Sequence, residues 1–241
     1  MLVHTSSLWY IAAVSSLSFA SILVAGWWMS GTILRGSYVL SFSHAILMLL
    51  LTSYNLLVDC GTNDYAHCFF ASALNSYAQN MMLALSLGYF IVDSIVVMFV
   101  VPDYEAAFHH VTIVVGQLSA IATGTCGYAL AWFLFLAEMS TPLLNCFLSG
   151  LTREGSRIDF IVRASFAFTF IVSRLLICPL ITYRFVVGCV DSPLIPRLVC
   201  LCVQGISLVW GKRVILAVID AVGPKQKMKI DTQSANRYKG E

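Results

Sequence analysis

With 241 residues, 59% of them hydrophobic and only 11% charged, and a mean hydropathy of +0.84, the chain lies outside the range of water-soluble domains. It reads as an all-α integral membrane protein, and roughly seven spans of about 20 residues exhaust its length, which excludes a separate soluble catalytic domain. A net charge of +2 gives no reason to expect a nucleic-acid partner, so the charges matter through placement.

Hydropathy predicts helices over 8–29, 37–58, 78–101, 107–123, 127–148, 158–183 and 194–219. The breaks carry turn chemistry: Ser30-Gly31, the polar stretch from Asp59 to Asn75, Val101-Pro102-Asp103, Gly124 with Gly127, the TREGSR segment, and Asp191-Ser192-Pro193. The first run, Leu8 to Met29, has no Lys or Arg before it and exceeds the core of a signal peptide, so an uncleaved helix is expected. This divides the chain into an N-terminal helix with a short loop (1–36), a six-helix membrane domain (37–219) and a basic tail (220–241).

The tail holds Lys225, Lys227, Lys229, Arg237 and Lys239, the pattern of a cytosolic flank. An odd number of spans then puts the N-terminus in the lumen. Arg35, Arg153 and Arg157 fall on the tail side, and the 59–75 loop on the other side has no Lys or Arg. Two features oppose this assignment: the tail-side turn PDYEAAF is acidic, and Arg184 and Arg197 flank a lumenal loop. Eight cysteines occur without C-x-x-C spacing and read mostly as small apolar packing residues. Cys60 and Cys68 share the polar 59–75 loop and would form a disulfide if that loop faces an oxidising lumen.

Ionisable groups inside these spans cost about 2.5–3.5 kcal/mol each near a helix centre, so they should face protein or water. Asp93, Glu138 and Arg174 all have apolar sequence on both sides. Counted at about 1.5 Å per residue from the tail-side end of each helix, His44 and Asp93 lie roughly 10–12 Å deep. On the same count Glu138 lies about 15 Å deep, and Asn145 and the adjacent His109 and His110 about 5 Å. These positions come from different helices and would line one pocket opening toward the tail side. Arg174 counts into the opposite half, which marks it as a structural ion or anion contact rather than a partner of that set. The two histidines point about 100° apart, so one need face the pocket while the other touches a neighbour. Adjacent histidines with no ordered third ligand do not make a metal site. Lys212 in the last span invites comparison with retinal pigments and receptors, but the Asp-Arg-Tyr and Asn-Pro-x-x-Tyr signatures are missing and Arg213 beside it fits snorkelling.

Several stretches together carry a family likeness: SFSHA with His44, LGYFIVD with Asp93, the His109-His110 pair, and AEMSTPLLN with Glu138, Ser140, Thr141, Pro142 and Asn145. FIVSRLLICP with Arg174 and Pro179, and VWGKR at 209–213, complete the set. In this order the chain resembles the TLC domain family, closest to its small TLC domain-containing members and more distantly to the ceramide synthases. The resemblance implies a barrel-like helical bundle in the endoplasmic reticulum or a related endomembrane, with membrane lipids as partners. It also implies acyl transfer from acyl-CoA, a co-substrate rather than a bound cofactor, to a phospholipid or sphingoid acceptor. His109, His110, Asp93 and Glu138 are then the expected catalytic set, and His44, Ser140, Asn145 and Arg174 the expected substrate contacts. The aspartate-rich stretch of the ceramide synthases is replaced here by AEMSTPLLN, which argues against N-acylation of sphingoid bases. A non-catalytic lipid-binding or sensing protein of membrane lipid homeostasis is the competing expectation.

Overall fold

Inside hydrocarbon every backbone N–H and C=O must find a partner within the protein, and a chain this apolar meets that demand with helices. The computed structural model describes residues 5–59, 74–188 and 192–222. The expected Cys60–Cys68 pairing and the basic cluster from Lys225 to Lys239 lie outside these residues. The helices are α1 (Thr5–Ser30), α2 (Ile33–Tyr54), α3 (Tyr77–Ile95), α4 (Tyr104–Thr123) and α5 (Gly127–Glu138). They continue as α6 (Thr141–Leu148), α7 (Arg157–Phe170), α8 (Cys178–Gly188) and α9 (Leu194–Val222).

Among the described residues, seven helical stretches are long and apolar enough to cross a membrane: Leu8–Ser30, Ile33–Val58, Tyr77–Val100, Tyr104–Thr123, Gly127–Leu148, Arg157–Gly188 and Leu194–Ala221. The expected spans agree with these to within about five residues at each end. One expected helix is broken. The 127–148 span bends at Met139-Ser140 into α5 and α6, because Pro142 in the first turn of α6 has no N–H to continue the α5 ladder.

Three wide π-helical turns interrupt or extend the spans: Asn55–Asp59, Val96–Val100 and Ile171–Ile177. The last two precede prolines. Pro179 cannot donate to the carbonyl four residues back and its ring crowds that carbonyl. The Ile171–Ile177 segment absorbs the defect with i→i−5 bonding, the Cys178 N–H reaching Ser173 O. Val101 N–H reaches Val96 O in the same way just before Pro102.

Neighbour contacts close the spans into a ring in the order α2, α3, α4, α9, α7–α8 and α5–α6, returning to α2. Helix α1 stands outside this ring, packed on α2 and α3 through small residues. A Cβ on Gly36 would lie 2.8 Å from Leu23 O, and one on Gly88 would lie 2.5 Å from Ser15 Oγ, so neither approach tolerates a side chain. Ser15 Oγ also donates to Leu85 O at 2.8 Å, a polar fastener between α1 and α3. The main apolar core unites Leu8, Phe19, Leu40, Met48, Met82, Leu83, Leu87 and Leu134 from four helices.

The end of the bundle near the α5 N-terminus is clasped by Asn75. Its Oδ1 accepts from Gly127 N–H at 2.7 Å, and its Nδ2 donates to Ala120 O at 3.2 Å and to Asn80 Oδ1 at 3.0 Å. Gly124 stops α4 in the left-handed region at φ +66°, where a side chain would be strained.

Candidate functional site

Within the ring, two stripes of polar residues face each other. On α2, Ser37, Ser41 and His44 recur at intervals of four and three, which keeps them on one face. On α3, Ser86, Tyr89 and Asp93 do the same. Their side chains interlock. Asp93 accepts from Tyr89 OH at 3.2 Å and from Ser37 Oγ at 3.3 Å. His44 stacks on the Tyr89 ring with centroids 3.8 Å apart and planes 13° from parallel, and its Nε2 is 3.2 Å from Ser86 Oγ.

Helix α4 adds the histidine pair. His110 Nδ1 lies 3.2 Å from Asp93 Oδ2, close but without the alignment of a hydrogen bond. His109 turns away toward α9, its ring edge-on to Trp210 at 5.1 Å. Both are enclosed, so neither ring faces lipid. Two turns further on, Gln117 donates to Ser86 Oγ at 2.8 Å, tying α4 to the same network.

The bend between α5 and α6 delivers the second carboxylate. Glu138 ends α5, 6% exposed, with Oε1 3.6 Å from His44 Nδ1 and Oε2 without a hydrogen-bond partner. Asn145, buried on α6, donates from Nδ2 to Ser41 Oγ at 3.0 Å. Ser140 is buried at the bend itself and heads α6 without a side-chain capping bond. Helices α2, α3, α4 and α5 therefore bring His44, Asp93, His110 and Glu138 into one cluster, with Asn145 at its α6 edge.

Arg174 requires a correction. Its count along the sixth span set it apart from the tail-side polar set, yet Nη2 donates to Ala137 O at 2.6 Å, beside Glu138. The guanidinium lies 5.4 Å from the Phe170 ring and 6.0 Å from the Trp210 ring. The count misleads for two reasons. The Arg157–Gly188 stretch is 32 residues, longer than the hydrocarbon needs, so a count from its end does not fix the depth of a residue within it. Arginine also has a long side chain, and the π turn re-aims it toward α5.

One of the two acidic side chains of the PDYEAAF turn is paired within the bundle. Glu105 accepts from Trp210 Nε1 at 3.0 Å and from Arg213 Nη2 at 2.5 Å, so its charge is paired across to α9. Trp210 thereby becomes a roof held between His109, Arg174 and the exposed Arg213. The contribution of Trp210 and Glu105 carried no sequence signal beyond the VWGKR match. Tyr89, Ser86, Ser37, Ser41 and Gln117 were detectable in principle, as polar residues at helical spacing from Asp93, His44 and His110 in otherwise apolar runs.

Asn145, Ser41, Tyr89 and Asp93 form a run of hydrogen-bonding groups that ends 3.2 Å from His110 Nδ1. Two imidazoles have carboxylate neighbours, His110 with Asp93 at 3.2 Å and His44 with Glu138 at 3.6 Å. No group of His, Cys, Asp and Glu suited to holding a metal ion occurs among the described residues.

These features define the class: a multi-pass helical membrane protein with a polar cluster sealed inside its bundle. A family model described as TLC domain matches residues 28–216, more than three quarters of the chain, and the protein belongs to that family. No curated protein and no solved structure matches the chain.

Proposed function

We propose that the protein transfers an acyl group from acyl-CoA to a lipid acceptor, a phospholipid or sphingoid type, in the endoplasmic reticulum or another endomembrane. Its N-terminus is lumenal and its C-terminus cytosolic. The observation that carries this reading is the convergence of His110 and Asp93, 3.2 Å apart, with His109, His44 and Glu138 inside one bundle. A buried imidazole with a carboxylate behind it is the arrangement that general-base catalysis needs. His110 takes the proton from the acceptor hydroxyl or amine as that atom attacks the thioester carbonyl. The carbon–sulfur bond breaks, and the CoA thiolate leaves and is protonated. Asp93 holds the His110 ring and stabilises its cationic form, while Glu138 does the same for His44. His109, Arg174, Ser140 and Asn145 contact substrate.

Mass spectrometry of purified protein incubated with palmitoyl-CoA and phospholipid tests this. An acylated lipid product should form and disappear in His110→Ala and in His109→Ala, both variants remaining monodisperse. Unchanged turnover in both variants rules the reading out.

A non-catalytic lipid-binding role is favoured by one observation: neither imidazole–carboxylate contact has hydrogen-bond alignment, and His44 is only 1% exposed. That role predicts saturable lipid binding and no product in the same incubation.

A further inference from the structure

Arg174 is 7% exposed in the middle of a span, yet only one of its three guanidinium nitrogens is satisfied. Nε and Nη1 have no hydrogen-bond partner among the described residues. Glu138 is near enough to balance the charge, but no ion pair forms between them within 4.0 Å among the described residues, so its oxygens do not fill these donors. His109 lies under the same indole as Arg174, and its Nδ1 is likewise buried and unpartnered. A cation with two open donors, an imidazole with an open nitrogen, and aromatic faces of Phe170 and Trp210 therefore converge from three helical segments. Buried donors of this kind are costly unless something accepts from them.

Ala137, whose carbonyl takes Arg174 Nη2, also lines an apolar cavity of about 40 Å³ between α4, α5 and α9. Phe133, Leu134, Gly116 and Val203 contribute to its walls. A Cβ on Gly116 would sit 2.7 Å from Val199 Cγ1, so the close approach of α4 and α9 beside the cavity depends on that glycine. At that volume it holds no more than the tip of an apolar group, and a purely apolar cavity does not hold water well.

We propose that Arg174 and His109 hold the anionic, oxygen-bearing end of a single-chain lipid, a carboxylate or phosphate monoester. This rests on the lipid-handling reading above for the kind of ligand, and it adds which chemical end is gripped and by what. The anion accepts from Arg174 Nε and Nη1, the fork that suits planar or tetrahedral oxyanions. Trp210 closes over it.

The test is native mass spectrometry of the full chain with three ligands of equal chain length: hexadecanoate, 1-hexadecanoyl lysophosphatidate and hexadecanol. Retention of either anion at least about tenfold above the alcohol, lost in Arg174→Gln, supports the site, and the anion retained names the source. Equal retention of the alcohol, or selectivity unchanged in Arg174→Gln, overturns it. If that variant does not fold, the wild-type preference is read together with cross-linking by a hexadecanoate carrying a diazirine next to the carboxylate. Label on Phe170, Trp210 or His109 supports the site and label elsewhere overturns it. Anion selectivity without acyl transfer removes the proposed reaction and keeps this site; acyl transfer without anion selectivity does the reverse.

Discussion

Replacing Glu105 with alanine removes the carboxylate that accepts both Trp210 Nε1–H and the Arg213 guanidinium. The Arg213 pair is largely solvated, with the arginine side chain 65% exposed, and such pairs contribute roughly 0–1 kcal/mol. The indole bond to a charged acceptor is worth more, about 1.5–3 kcal/mol. Because Glu105 is itself 40% exposed, water competes and the lower figure applies, roughly 1.5 kcal/mol. That shifts the open population of the Trp210 roof about tenfold. The assay is the rate of carbethoxylation by diethylpyrocarbonate, read residue by residue by mass spectrometry. His109, under the roof, should react about tenfold faster in Glu105→Ala. His44 reports on the rest of the bundle, since it is 1% exposed and stacked on Tyr89, and its rate should not change. An unaltered rate at His109 refutes the roof, and a parallel rise at His44 shows general loosening instead.

Three further outcomes follow from packing and hydrogen bonding. Ser86→Ala strips a partner from both His44 Nε2 and Gln117 Nε2, and should lower stability by roughly 1–3 kcal/mol, read as a fall in the thermal midpoint in detergent. Gly88→Val drives a side chain into Ser15 Oγ and into the α1 backbone at Ser16 N, 2.7 Å from the new Cβ, and should cost about 1–3 kcal/mol while making α1 the first site of proteolysis. Asn75→Ala leaves Gly127 N–H and Ala120 C=O without their side-chain partner and should cost roughly 1–3 kcal/mol, with faster amide exchange at the start of α5 than in α2.

The spans were legible in the sequence because the bilayer imposes both length and polarity on each of them, and few other physical demands are so uniform. His44, Asp93, His110 and Glu138 were legible as a set for a related reason: an ionisable group in hydrocarbon must turn inward, and depth along each helix is countable. Arg174 escaped because a depth count needs a span that just crosses the hydrocarbon, and the 32-residue Arg157–Gly188 span is too long for its end to mark a level. The break at Ser140 was marked by Pro142, but continuous hydropathy through AEMSTPLLN concealed it. Trp210 and Glu105 meet across 105 positions of sequence, and only the closing of the ring between α4 and α9 brings them together.

The outlying position of α1 has a practical side. The matched region begins at residue 28, so a chain trimmed to the TLC domain would keep every residue of the polar cluster. It would lose Phe19, whose ring meets His44 and Tyr89 edge-on at 5.9 and 5.6 Å, and Ser15, fastened to Leu85. Lipid tails would then wet the outer edge of the stacked imidazole, and an inert trimmed protein would say more about missing insulation than about missing chemistry.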